Sequence, residues 1–119
     1  MSKNNILTDQ AILFAVKVLN LKETLTSETA LAFVSELETC AYELGENSAL
    51  TDIDSLCEEA LQNALSAVLR AEYWIKLMVE SKSVPEDERI RALSFDCLDF
   101  KRTLTNSLEA KKKLNGNLA

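Results

Sequence analysis

Only three residues in this 119-residue chain, Gly45, Gly116 and Pro85, belong to the two types that most readily break regular backbone. A sheet protein needs turn residues every ten or so positions, and this chain does not have them. Sparse punctuation leaves a few long helices as the workable architecture. The hydrophobic fraction of 47% supplies enough apolar surface for one core, and the length suits a single domain over residues 1–119. Charged residues at 27% and a mean hydropathy of −0.04 argue against a disordered chain.

Apolar spacings of three and four mark four helices. The first is expected from Asp9 to Glu23 with Thr8 as N-cap, and its Ala11–Leu21 stretch is apolar almost all round. Thr26 and Ser27 break the chain and cap a second helix, lined by Ala30, Phe33, Val34, Leu37, Cys40, Ala41 and Leu44. Gly45 is expected to end it as a left-handed C-terminal residue. Thr51 with Asp54 reads as a capping box opening a third helix over Asp52–Ser81, with one stripe from Ile53 and Cys57 through Ala64, Val68, Ala71 and Ile75 to Met78. Leu61, Leu65, Leu69 and Tyr73 form a second stripe beside it. Ser83, Glu86 and Pro85 start a fourth helix along Ile90, Leu93, Cys97, Leu104 and Leu108, widened by Phe95, Leu98 and Phe100, with Asn115-Gly116-Asn117 as its stop. Short connections make neighbouring helices antiparallel, so the expected fold is all-α, an up-down-up-down four-helix bundle.

No stretch of about eighteen apolar residues is present, so no membrane span is expected. Met1–Asn5 lack the apolar stretch of a secretory signal, which points to the cytoplasm. Cys40, Cys57 and Cys97 are odd in number, form no Cys-x-x-Cys pair and lie in apolar helical patterns, so they read as small core residues. The absence of histidine removes the usual general base and the usual zinc ligand. Asp52, Asp54, Glu58 and Glu59 are the densest acidic cluster, but a carboxylate-bridged metal bundle wants Glu-x-x-His pairs, so a solvated face is the better reading. Phosphate loops and nucleophile elbows are also missing. The expectation is a protein without catalytic activity, cofactor or metal.

More apolar surface is present than one bundle needs. The first helix is apolar nearly everywhere and the third carries two stripes, which points to self-association, with Leu61, Leu65, Leu69, Tyr73 and Trp74 as candidate interface residues. The net charge of −6 is unevenly placed: residues 1–69 hold three basic and eleven acidic side chains, whereas residues 70–119 hold ten basic and eight acidic. Lys101, Arg102, Lys111, Lys112 and Lys113 are candidate nucleic-acid contacts, although cations at a helix C-terminus also serve its dipole. Glu72 and Lys76, four residues apart, read as a surface pair.

The stretch Leu65-Ser66-Ala67-Val68-Leu69-Arg70-Ala71-Glu72-Tyr73-Trp74-Ile75-Lys76-Leu77 resembles the third-helix signature of the four-helix bundle proteins encoded in 23S rRNA intervening sequences. Asn5-Ile6-Leu7 with Phe14-Ala15-Val16-Lys17-Val18-Leu19 is similar to that family's first helix, and Asp99-Phe100-Lys101-Arg102-Thr103-Leu104-Thr105-Asn106-Ser107-Leu108 to its last. The second helix departs. Where the family usually carries an Arg-Ser-Gly-Thr-Ser-Ile-Gly-Ala-Asn segment, this chain has Thr39-Cys40-Ala41-Tyr42-Glu43-Leu44-Gly45-Glu46-Asn47, without the arginine and with two added glutamates. The resemblance implies a ring-like homopentamer without enzymatic activity. It also implies kinship with the accessory protein of diversity-generating retroelements, a basic protein that binds nucleic acid and reverse transcriptase. The acidic balance here works against that role.

Overall fold

The computed structural model describes the backbone of residues 4–118 and the side chains of residues 6–114. It has four α-helices: α1 (Asn4–Glu23), α2 (Glu28–Leu50), α3 (Cys57–Glu80) and α4 (Glu88–Leu118). Among the described residues there is no strand. Each helix packs on its neighbour in sequence, and α1 closes the ring against α4, giving the expected antiparallel bundle.

Each buried stripe follows the helical period. Leu7, Ala11, Phe14, Val18 and Leu21 line α1; Ala30, Val34, Leu37, Ala41, Leu44 and Ser48 line α2. Ala64, Val68, Ala71, Ile75 and Met78 line α3, and Ile90, Leu93, Cys97, Phe100, Leu104 and Leu108 line α4. Side-chain size explains the uneven spacing. Ala60, Ala64, Ala67 and Ala71 let α3 lie close to α2 along most of its length, whereas α1 and α4 meet through the bulky edge-to-face pair Phe14–Phe100, centroids 6.0 Å apart.

Helix ends differ from the sequence expectation in five places, the first two because the core continues. Thr8 is not an N-cap: α1 starts a turn earlier, and Leu7 extends the stripe upstream. Gly45 is not a terminus, since Leu44 and Ser48 stay on the buried face and carry α2 on to Leu50. Thr51 caps the end of α2 instead of opening α3, its hydroxyl donating to the Ser48 carbonyl at 2.6 Å; α3 begins at Cys57, leaving Ile53 exposed in the connection 51–56. Asp87, not Ser83, caps α4, accepting from the backbone N–H groups of Arg89 and Ile90 at 3.0 and 3.3 Å. Ser83 turns back to close α3, its hydroxyl donating to the Met78 carbonyl. Ser27 caps α2 as expected, accepting from Ala30. The stop expected at Asn115–Asn117 is also absent, because α4 continues to Leu118.

The third helix is therefore 24 residues long, and α4 alone, at 31, outreaches the rest. The molecule measures 53 × 25 × 20 Å.

Candidate interaction surfaces

An ion pair crosses each seam of the bundle. Lys22 meets Glu38 between α1 and α2 at 3.1 Å, and Arg70 meets Glu43 between α2 and α3 at 2.7 Å. Lys101 meets Glu72 between α3 and α4 at 3.1 Å, and Lys17 meets Asp96 between α1 and α4 at 2.8 Å. Glu72 thus serves Lys101 on the next helix and not Lys76 on its own. The guanidinium of Arg70, donating to Glu43, holds that carboxyl below its usual range. These pairs are partly exposed, so each contributes at most about 1 kcal/mol.

They also decide which cations remain available. Lys101 is committed to Glu72, whereas Arg102, Lys112 and Lys113 are exposed, Lys111 is half-buried, and none of the four has an ion-pair partner among the described residues. The acidic connection lies at the same end: Asp54 and Lys111 line one groove with Cys57, Leu61 and Leu114. Folding therefore sets the basic run of α4 beside the acidic α2–α3 connection, diluting the positive field. Among the described residues no group of histidine, cysteine, aspartate or glutamate is arranged to hold a metal ion.

The candidate interface residues separate. Leu61 is only 4% exposed and belongs to the core, reaching the surface only at the floor of the groove beside Asp54 and Lys111. Leu65 and Trp74 are half-buried, and Trp74 packs on Phe33 of α2, ring centroids 6.2 Å apart, filling the α2–α3 seam. Leu69 and Tyr73 remain outside, Tyr73 at 60% exposure, beside a groove between α3 and α4 that Val79 and Ser94 also line. Phe95, 68% exposed, and Leu98 stand on α4. Sequence periodicity placed these two in the widened core arc; once four helices close, only an arc of each helix can be covered.

A second apolar face lies on α1. Ile12, Leu13, Val16 and Leu19 are all exposed, Ile12 at 55%. The stretch Ala11–Leu21, apolar almost all round, is therefore covered on one side only within a single chain. The surplus predicted from composition is real, and it lies outside the core.

Fold and surfaces together define an antiparallel four-helix bundle that leaves apolar faces exposed on α1 and on α3 and α4. The same fold occurs in the crystal structure of a protein of unknown function from the S23 ribosomal protein family of Bacteroides thetaiotaomicron, with a TM-score of 0.78 and 20% sequence identity over 91% of this chain and 99% of that one. No family model and no curated protein matches the sequence. At that identity the likeness establishes the fold.

Proposed function

We propose that this chain is a non-catalytic assembly module: a homo-oligomeric four-helix bundle of the rRNA intervening-sequence type, acting through protein–protein contact. The observation that carries this reading is the pair of exposed apolar faces, Ile12, Leu13, Val16 and Leu19 on α1 and Leu69, Tyr73, Phe95 and Leu98 on α3 and α4. Soluble monomers seldom leave such sets uncovered. The resemblance to the intervening-sequence proteins supports the same reading and makes five copies the expected number, and the fold shared with a member of the S23 ribosomal protein family fits a bundle of that kind. Cytoplasmic residence fits a chain in which, among the described residues, no helix is long and apolar enough to cross a membrane. Light scattering coupled to size exclusion tests the proposal: a mass near five chains at tens of micromolar supports it, and a monomer of 13.2 kDa overturns self-assembly.

A second reading, association with RNA or DNA, rests on Arg102 and Lys111–Lys113, which have no ion-pair partner among the described residues. Binding that weakens steeply with added salt and is lost in Lys111–Lys113→Glu would support it. Binding insensitive to both would exclude this cluster as the contact.

A further inference from the structure

The α1 stripe and the α4 stripe carry opposite charges at their ends. On α1, Asp9, Ile12, Val16, Leu19 and Glu23 follow at spacings of three and four and are all exposed, so they form one stripe, three apolar residues bracketed by two acids. On α4, Arg91, Phe95, Leu98 and Arg102 form a stripe of the same kind, two apolar residues bracketed by two arginines. Next to it, α3 presents Leu69, Tyr73 and the exposed Lys76 along the α3–α4 groove, which Glu80 and Glu86 also line, so the net basic character of this face rests on the two arginines of α4.

We infer that the α1 stripe of one copy docks on the α3–α4 face of the next, head to tail. This deepens the assembly reading above and rests on it. The brackets match in length. Asp9 and Glu23 are fourteen residues apart, about 21 Å along the axis, and Arg91 and Arg102 are eleven apart, about 16 Å. The difference of roughly 2–3 Å at each end is within the reach of an arginine side chain. The charges exclude the symmetric alternatives. An α1 stripe packed antiparallel on its own copy would set Asp9 against Glu23, and an α4 stripe on its copy would set Arg91 against Arg102, placing like charges together at a desolvated rim. Only the heterologous pairing sets acid against base. Because donor and acceptor faces are different surfaces of the same bundle, each copy can engage two neighbours, and the series ends when the rotation closes a ring.

Two face-blocking variants test this. Val16→Glu places a charge in the α1 stripe and Leu98→Glu places one in the α4 stripe; both positions are exposed, so the helices themselves tolerate the change, which far-ultraviolet circular dichroism verifies. Head-to-tail docking predicts that each variant alone is monomeric by light scattering. An equimolar mixture then forms a species of two chains and nothing larger, because the intact α4 face of one receives the intact α1 face of the other. Asp9→Lys combined with Glu23→Lys is expected to weaken assembly at least tenfold, with recovery when Arg91→Glu and Arg102→Glu are added to the same chain. A mixture that stays monomeric while the unmodified chain assembles, or a single variant that assembles normally, overturns this docking mode and leaves the assembly proposal standing. An unmodified chain that is itself monomeric overturns both.

Discussion

The thiol of Cys97 faces the interior from the middle of α4, 1% exposed, and burial pushes its pKa up to about 12, with Glu72 and Asp96 adding to the rise. A thiol kept protonated in the fold but free to ionise in the unfolded chain makes stability depend on pH. Its contribution is complete below the unfolded value near 9 and is lost as pH rises towards about 12, at up to about 1.4 kcal/mol per pH unit. Cys97→Ala is expected to cost about 1 kcal/mol at pH 7 for the lost packing, and the deficit should shrink or reverse by pH 10 in urea titrations of the two proteins. A deficit unchanged between those pH values would show that Cys97 does not titrate differently on folding. The buried, uncrosslinked character of Cys40 and Cys97 was legible from their place in the apolar period, but the half-burial of Cys57 was not. Cys57 opens α3 at the groove beside Asp54 and Lys111, and only the long-range arrangement of helix ends decides what covers it.

At the scale of the elements, the helices were legible and their ends were not, because an end is settled by what the terminal turn packs against. Gly45 has the composition of a stop signal, yet it lies inside α2 because Leu44 and Ser48 on either side remain buried. A Cβ built there meets nothing within 4 Å. Gly45→Ala is therefore expected to stabilise the fold by about 0.5–1 kcal/mol, seen as a higher urea midpoint with an unchanged slope. The end of α3 shows the converse. The Ser83 and Lys82 amides donate to the Met78 and Val79 carbonyls at 3.2 and 3.0 Å, the bonding of a Schellman end, and the residue required to turn left-handed is Lys82, with φ of 60°. Glycine would adopt that conformation without strain, so Lys82→Gly should add about 1 kcal/mol. A lower midpoint would mean that the lysine stem contributes more than its backbone strain costs. None of the four seam ion pairs could be read from the sequence, since Lys17 and Asp96 are 79 positions apart and only the closed bundle brings them together.

For the whole molecule, what was legible was the surplus and not its address. Periodicity showed two adjacent stripes on the third helix, but which one a bundle buries depends on the angle at which α2 and α4 approach; Leu61 went inside while Leu69 and Tyr73 stayed out. On α1 the same surplus became a separate outer face, and this has a thermodynamic consequence. A face covered only by another copy adds its burial to stability only when copies meet, so the folded state gains by mass action. For a ring of several copies, each tenfold rise in concentration adds roughly 1 kcal/mol per chain, which for a domain of this size raises Tm by about 4 °C. The unmodified chain should show that dependence in scans at 5 and 50 micromolar. Val16→Glu should not: its Tm is expected to be the same at both concentrations and close to that of the unmodified chain at high dilution, because Val16 lies outside the core. A concentration-independent Tm for the unmodified chain would mean that the α1 face is left for a different partner, whereas a concentration dependence that survives Val16→Glu would move the contact away from α1.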